Sequence, residues 1–364
     1  MIGYLFSQAN LIIMKKTILI IVFGFVLWSC SNDGNEAYIA GPFFLEVDQP
    51  SNFPEIKYDL KANTPTDAGF ELGKKLFYEG NLSSSGIISC GFCHEQASAF
   101  THHGHTISHG ENGLEGFRNT QPIQNLAYFD EFTWDGAAIH LDLQPIIPIT
   151  AEVEMNETIP SVLDKLESMP EYAKLFENAF GTAEINSERM LKALSQFMVM
   201  MVSSNSKYDK VMRQEDGASF TSLEEEGLIA FTEKCASCHS TDLFSDQSYR
   251  NNGIPYNPKH IEEQGRQRVS GYEADFYKFR VPSLRNIEMS FPYMHDGRFG
   301  TLEAVLDFYS EGMVENGGEV DERLKKPDGS LGIDLQNKEK EAIIVFLRTL
   351  TDYEFLNDKR FAEF

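Results

Sequence analysis

Cys90-Gly91-Phe92-Cys93-His94 and Cys235-Ala236-Ser237-Cys238-His239 decide how this chain is read. Each run sets two thiols three positions apart and follows them at once with an imidazole. This is the spacing that holds a c-type haem, in which the thiols add to the two vinyl groups and the next histidine lies under the iron. One run alone is a weak signal, because zinc sites also use Cys-x-x-Cys pairs. Two runs, each behind a similar helix pattern, point to two covalently attached haems c. A group held in this way stays in place even when the ligation of its iron changes.

The sequence around the motifs supports a helical scaffold. Thr64-Pro65-Thr66-Asp67 are capping residues ahead of Ala68, Leu72 and Leu76, which recur every four residues with Phe77 beside them, and this predicts a helix leading into the first motif. Thr221-Ser222 and the acids Glu224 to Glu226 predict a second capped start, with Leu228, Ile229 and Phe231 following. Between the motifs, Met190, Leu191, Leu194, Phe197 and Met201 predict one long helix from Ile185 to Met212, ending at a polar connector from Arg213 to Ser219. A last helix from about Asn337 to Leu350 carries Ile343, Ile344, Phe346 and Leu347 and is expected to pack against the second haem. No segment is strand-rich. The expected fold is mainly α, with two cytochrome c-like haem domains over 61–215 and 216–364, a division that suits 364 residues.

The N-terminus reads as an export signal over 1–29. Met14-Lys15-Lys16 precede an apolar run from Ile18 to Trp28 that is too short to span a bilayer comfortably, and Met14 is the expected start. Leu27-Trp28-Ser29-Cys30 resembles the lipobox of bacterial lipoproteins. That resemblance implies cleavage before Cys30, a lipid on its thiol, a tether over 30–60, and a place in the cell envelope, on the periplasmic side or the outer membrane; an ordinary cleaved signal peptide is the alternative. The fifth cysteine is thereby explained, and none remains for a disulfide. With 31 Lys and Arg against 55 Asp and Glu the formal net charge is −24, and cleavage would remove two lysines more. Such a balance argues against nucleic acid as a partner and suits the steering of a basic electron donor, although a well-solvated surface accounts for it equally.

Several blocks, in order, resemble the bacterial dihaem cytochrome c peroxidases and their MauG-type relatives over nearly the whole mature chain. They are Gly73 to Phe77, Arg118-Asn119-Thr120 with Asn125, Trp134-Asp135-Gly136, Glu154-Met155, Val281 to Asn286 and Pro292 to Phe299. The resemblance implies a peroxidatic iron over His94 and an electron-transfer iron over His239. It also implies reduction of hydrogen peroxide with electrons from a cytochrome c or another small redox protein. Trp134 matches the tryptophan between the haems that is proposed to relay electrons. Glu154 matches the distal carboxylate that shuttles a proton between the peroxide oxygens, and Gln144 a polar neighbour in the same pocket. A calcium ion between the haem domains would take the Asn119 side chain and the carbonyls of Ser290 and Pro292. A homodimer is a further family expectation.

Two ligand positions depart from the standard pattern. His102, His103, His105 and His109 follow the first motif, and His109 is the best placed to cap the resting peroxidatic iron. Its spacing to Asn119 is longer than in the standard peroxidases, and MauG-type members often lack a ligand there, so an exposed polar loop is the alternative. The methionine ligand of the transfer haem falls on Tyr309, as in the MauG branch, while Met313 stands one helical turn later and is the other candidate. A thioether raises the haem potential and a phenolate lowers it. Three functions follow: a peroxidase, a MauG-like oxidase modifying a protein or organic substrate, and a dihaem electron carrier with no open iron position.

Overall fold

In the computed structural model, which describes residues 43–363, the leader and Cys30 lie outside the described residues. The main elements are α1 (Asp67–Phe77), α2 (Ile159–Ser168), α3 (Pro170–Phe180), α4 (Ser187–Val199), α5 (Lys207–Met212), α6 (Ser222–Lys234), α7 (Leu302–Asp307) and α8 (Asn337–Arg348). Shorter helical turns and long loops join them. One small antiparallel pairing sets Tyr249 of β1 (Tyr249–Arg250) opposite Arg280 of β2 (Phe279–Arg280). The protein is mainly helical, as expected.

Capping chemistry sets the helix starts. The Thr66 hydroxyl accepts from Gly69 N at 3.0 Å, and Thr221 and Glu224 close a reciprocal box at the start of α6. Leu72, Leu76 and Phe77 bury the predicted face of α1, each worth roughly 1.5–3 kcal/mol against exposure. The buried face of α6 is different from the expected one. It consists of Gly227, Ala230 and Phe231, while Ile229 is 68% exposed because it falls about 100° around the helix from that stripe.

The two motif-bearing halves use one device. α1 crosses α4, and α6 crosses α8, at a glycine. A β-carbon at Gly73 would lie 2.0 Å from the Ala193 carbonyl oxygen and 2.9 Å from Phe197 Cβ. One at Gly227 would lie 2.0 Å from the Ala342 oxygen and 2.8 Å from Phe346 Cβ. The backbones can approach this closely only where the side chain is hydrogen.

The long helix predicted from Ile185 to Met212 is broken. α4 ends at Val199 and α5 begins at Lys207 behind a Ser206–Asp209 capping box. Ser203-Ser204-Asn205-Ser206 offers side chains that compete with the helical ladder. Asn125 exploits this from 78 residues away, accepting from Ser203 N at 2.8 Å and donating to Ser203 O at 3.1 Å. The same turn anchors Arg285, which is fully buried, through a two-bond pair with Asp209 at 2.8 and 2.7 Å. Much of the Val281 to Asn286 block is thus a latch inside the fold. The chain's end returns to the first half: Phe355 and Phe361 pack among Phe77, Phe100 and Phe197, and Tyr78 Oη donates to Phe361 O at 2.7 Å.

Candidate haem sites

A short loop after each motif orients its histidine. His94 Nδ1 meets the Phe100 carbonyl at 2.7 Å, and His239 Nδ1 meets the Phe244 carbonyl at 2.9 Å. A carbonyl accepts only, so Nδ1 carries the proton and Nε2 keeps its lone pair, which is the tautomer a metal needs. Burial lowers both imidazoles' proton affinity, His94 to about 4, and both stay neutral at neutral pH. None of the four motif thiols pairs with another. Burial pushes those of Cys90, Cys93 and Cys235 up to about 12. The residues of both motifs therefore fit covalent haem with an axial histidine.

Near the first motif, two threads fix the loop that carries Glu154. Glu111 N donates to Glu154 O at 2.7 Å, while the Glu111 carboxylate accepts from Ser85 N at 3.1 Å and Ser85 Oγ at 2.6 Å. Met155 O takes a bond from Ser84 N at 3.0 Å. Gly110 presses on the same loop: a β-carbon there would lie 2.1 Å from Val153 O and 2.4 Å from Glu154 Cα. Glu154 is close enough to Cys93 to influence its thiol, and burial raises its own carboxyl above the usual carboxylate range. Gln144 is half-buried where the chain turns into the short helix Ile146–Thr150.

The histidines after the first motif form a cluster. His102 is buried and stacks on His105 with ring centroids 4.0 Å apart, and His109 meets His105 edge-on at 4.8 Å. His109 is half-buried, with its carbonyl 3.8 Å from Cys93 Sγ. Only His103 and His105 have the exposure of a polar loop.

The second motif opens on a largely apolar cavity of about 210 Å³, walled by Cys235, Cys238 and His239 and by Ile343 and Leu347 of α8. The expectation that the last helix packs against this site is met by those two residues. Tyr309 is in the wall; Met313 is not among its lining residues. The chain winds Phe308–Gly312 as a π-turn and then extends, with Met313 at φ −73° and ψ 145°. Met313 therefore leaves the face that one α-turn would give it, and packs over Gly253 in a buried apolar cluster. Asn252 Nδ2 donates to Tyr309 Oη at 3.2 Å and to Met294 Sδ at 3.7 Å. Burial pushes the Tyr309 phenol up to about 12, against the Asn252 bond, which favours the phenolate.

Trp134 also lines this cavity, 9% exposed, and its Nε1 donates to Asn119 O at 2.8 Å. Thr101 stands in the same wall, one peptide from the Phe100 carbonyl that orients His94. The wall that holds Trp134 thus reaches the loop that orients His94. Beside it, Asp135 is fully buried against Arg118 at 2.8 Å and Arg268 at 2.6 Å. Burial opposes its ionisation, but these guanidinium groups and Thr133 outweigh it and hold the carboxyl at about 2.

Asn119, Ser290 and Pro292 all line the cavity. Asn119 Nδ2 donates to the His105 and Thr106 carbonyls, both at 3.1 Å, and its Oδ1 takes no hydrogen bond among the described residues. That amide oxygen and neighbouring carbonyls are hard donors of the kind calcium takes. Among the described residues no cluster of three or more His, Cys, Asp and Glu side chains is arranged to hold a metal ion, so a calcium ion here would rest on neutral oxygens.

Sequence reasoning gave no role to Asn252, Met294, Gly110 or Arg280. Met294 stood inside a quoted block. Asn252 and Gly110 act on partners far along the chain, so no local pattern marks them.

Comparison with known proteins agrees with this geometry. A family model described as Di-haem cytochrome c peroxidase matches residues 67–217. Over 305 residues the chain is 37% identical to the Methylamine utilization protein MauG of Methylorubrum extorquens, covering 82% of each chain. It is 35% identical over 300 residues to the Cytochrome c551 peroxidase of Nitrosomonas europaea, covering 80% of this chain and 83% of that one. A crystal structure of a MauG-like protein associated with microbial copper homeostasis superposes with a TM-score of 0.76 at 30% identity, over 88% of this chain and 99% of the other. With two matching haem-binding motifs, a shared fold and this extent of identity, the chain belongs to the dihaem cytochrome c peroxidase family that includes MauG.

Proposed function

We propose that the chain is a peroxidase that takes two electrons, one at a time, from a small redox protein and uses them with two protons to turn hydrogen peroxide into two waters. The observation that carries this reading is Glu154, a half-buried carboxyl with a raised proton affinity, clamped beside the first haem motif by Gly110 and Glu111. When bound, the haems supply a peroxide-binding iron over His94 and an electron-accepting iron over His239. His94 and His239 offer neutral imidazoles. Glu154 takes a proton from one peroxide oxygen and returns it to the other as the bond between them breaks, with Gln144 as a polar neighbour. Trp134, in the wall of the His239 cavity, carries electrons from the second site to the first. In Glu154→Gln with both haems attached, turnover should fall by about 10²–10⁴-fold, the usual weight of a proton-transfer group. The acid limb of the native pH profile should stand above the ordinary carboxylate range, because burial raises this group, and should vanish in the variant. Native turnover in Glu154→Gln would remove the assigned shuttle.

A second reading is favoured by Tyr309 in the wall of the His239 cavity. A phenolate ligand there would suit a MauG-like oxidase acting on a protein or organic substrate. Several further features belong to the same proposal. They are two cytochrome c-like domains over 61–215 and 216–364, capping of the first iron by His109, calcium at Asn119, Ser290 and Pro292, a lipid anchor on Cys30 in the envelope, and a basic electron donor. The acidic surface supports the last of these.

A further inference from the structure

Arg280 is a buried cation without a counter-charge. It is 6% exposed, and among the described residues no carboxylate lies within ion-pair distance of it. Its Nε donates to the Thr133 carbonyl at 3.2 Å, its guanidinium lies 5.1 Å from the Phe129 ring centroid, and it makes no other side-chain hydrogen bond among the described residues. Every other cation in the wall of the His239 cavity has an acid. Arg250 pairs with Asp246 and Asp321 at 2.5 Å each, Arg323 with Asp321 at 3.4 Å, and Lys234 with Glu233 at 2.9 Å.

The wall itself contains no Asp or Glu among the described residues that line it, in a chain that has 55 of them. Leaving a cation unpaired in such a place is costly, because burial strips its hydration without supplying an opposite charge. Burial accordingly lowers the proton affinity of the Arg280 guanidinium, against weaker support from Tyr249 and Glu131. Glu131 is already engaged by Tyr249 Oη at 2.6 Å and Arg266 at 3.0 Å. An arrangement of this kind persists when an anion from outside the chain completes it. A planar guanidinium with free N–H groups matches a carboxylate best.

We propose that Arg280 binds a propionate carboxylate of the haem attached at Cys235 and Cys238, and so turns that haem's acidic edge toward Trp134. The direction follows from the backbone: Arg280 N donates to the Trp134 carbonyl at 2.8 Å, and the Thr133 carbonyl holds Nε. Arg280 is therefore tied to the Thr133–Trp134 backbone, and it lines the same cavity as the indole. The carboxylate neutralises a cation that would otherwise oppose removal of an electron from Trp134. Arg280 is a positioning residue here: it orients the haem and sets the charge around the relay.

This inference rests on the dihaem reading. Its test uses the holoprotein of the native chain, Arg280→Gln and Arg280→Lys, with haem counted by pyridine haemochrome and mass. The potential of the His239 haem is then measured by spectroelectrochemistry, and the propionate bending mode by resonance Raman. Removing the cation should shift that potential downward and move the propionate mode in Arg280→Gln. Arg280→Lys, which keeps the charge but loses the fork, should recover most of the potential. Two haems per chain with an unmoved potential and propionate mode in Arg280→Gln would overturn the inference alone. Fewer than two haems on the native chain would overturn the dihaem reading and the inference with it.

Discussion

Gly110→Ala tests whether the Glu154 carboxyl is held by the clamp that the fold builds around it. Gly110 has φ −118° and ψ −150°, which alanine adopts freely, so the effect comes from contact rather than backbone strain. The new methyl would stand 2.1 Å from Val153 O and 2.4 Å from Glu154 Cα. The 153–154 backbone must withdraw by about 1.3 Å to reach ordinary contact in a close-packed interior. A shift of ~1 Å in a reacting group costs on the order of 10²-fold in rate, and overpacking of this kind costs roughly 1–3 kcal/mol of stability. The same movement strains the bond from Glu111 N to Glu154 O. Gly300→Ala is the control, since a β-carbon there meets nothing within 4 Å. The assay is the initial rate of peroxide consumption with reduced cytochrome c, on samples matched for haem content, beside thermal melts. A hundredfold loss confined to Gly110→Ala is expected. A native rate in Gly110→Ala with both haems attached would refute the positioning of Glu154 by this contact.

Other outcomes follow from the second site and from the core. Tyr309→Met should change the spectrum of the His239 haem, whereas Met313→Ala should leave it unchanged and lose roughly 2–5 kcal/mol of stability, as expected for a buried side chain in an apolar cluster; the reverse pattern would make Met313 the ligand. Asp209→Asn should cost about 3–5 kcal/mol in urea melts, because it strands the fully buried Arg285. It should also flatten the acid limb of stability. Burial opposes ionisation of Asp209, but Arg285 outweighs it and holds the carboxyl below its ordinary value. Its contribution is therefore complete above the ordinary carboxylate pKa and disappears as pH falls through the folded value. Melts at a series of acid pH values check this, and an unchanged acid limb would contradict it.

Local chemistry made part of this molecule legible. The starts of α1 and α6 were readable because a capping threonine acts within three residues, and the haem motifs because their ligands are contiguous. The break before α5 was not, since its clip comes from Asn125, 78 residues away. The place of Met313 was not legible because spacing by one α-turn assumes an α-helix, and the chain makes a π-turn there. Ile229 followed Leu228 in an apolar run, yet the glycine that permits the crossing with α8, Gly227, defines which side is buried. Arg280 could not be singled out at all: an unpaired cation is a property of the folded surroundings, and 31 basic residues look alike in sequence.

The most direct test of the peroxidase reading is steady-state consumption of hydrogen peroxide by the purified dihaem holoprotein, with a reduced c-type cytochrome as donor. It is run both as isolated and after one-electron prereduction. Turnover in either state, with two molecules of cytochrome oxidised per peroxide consumed, is the predicted result. Absence of turnover in both states, with two intact haems, would contradict it, and a spectrum unmoved by peroxide would identify an electron carrier instead.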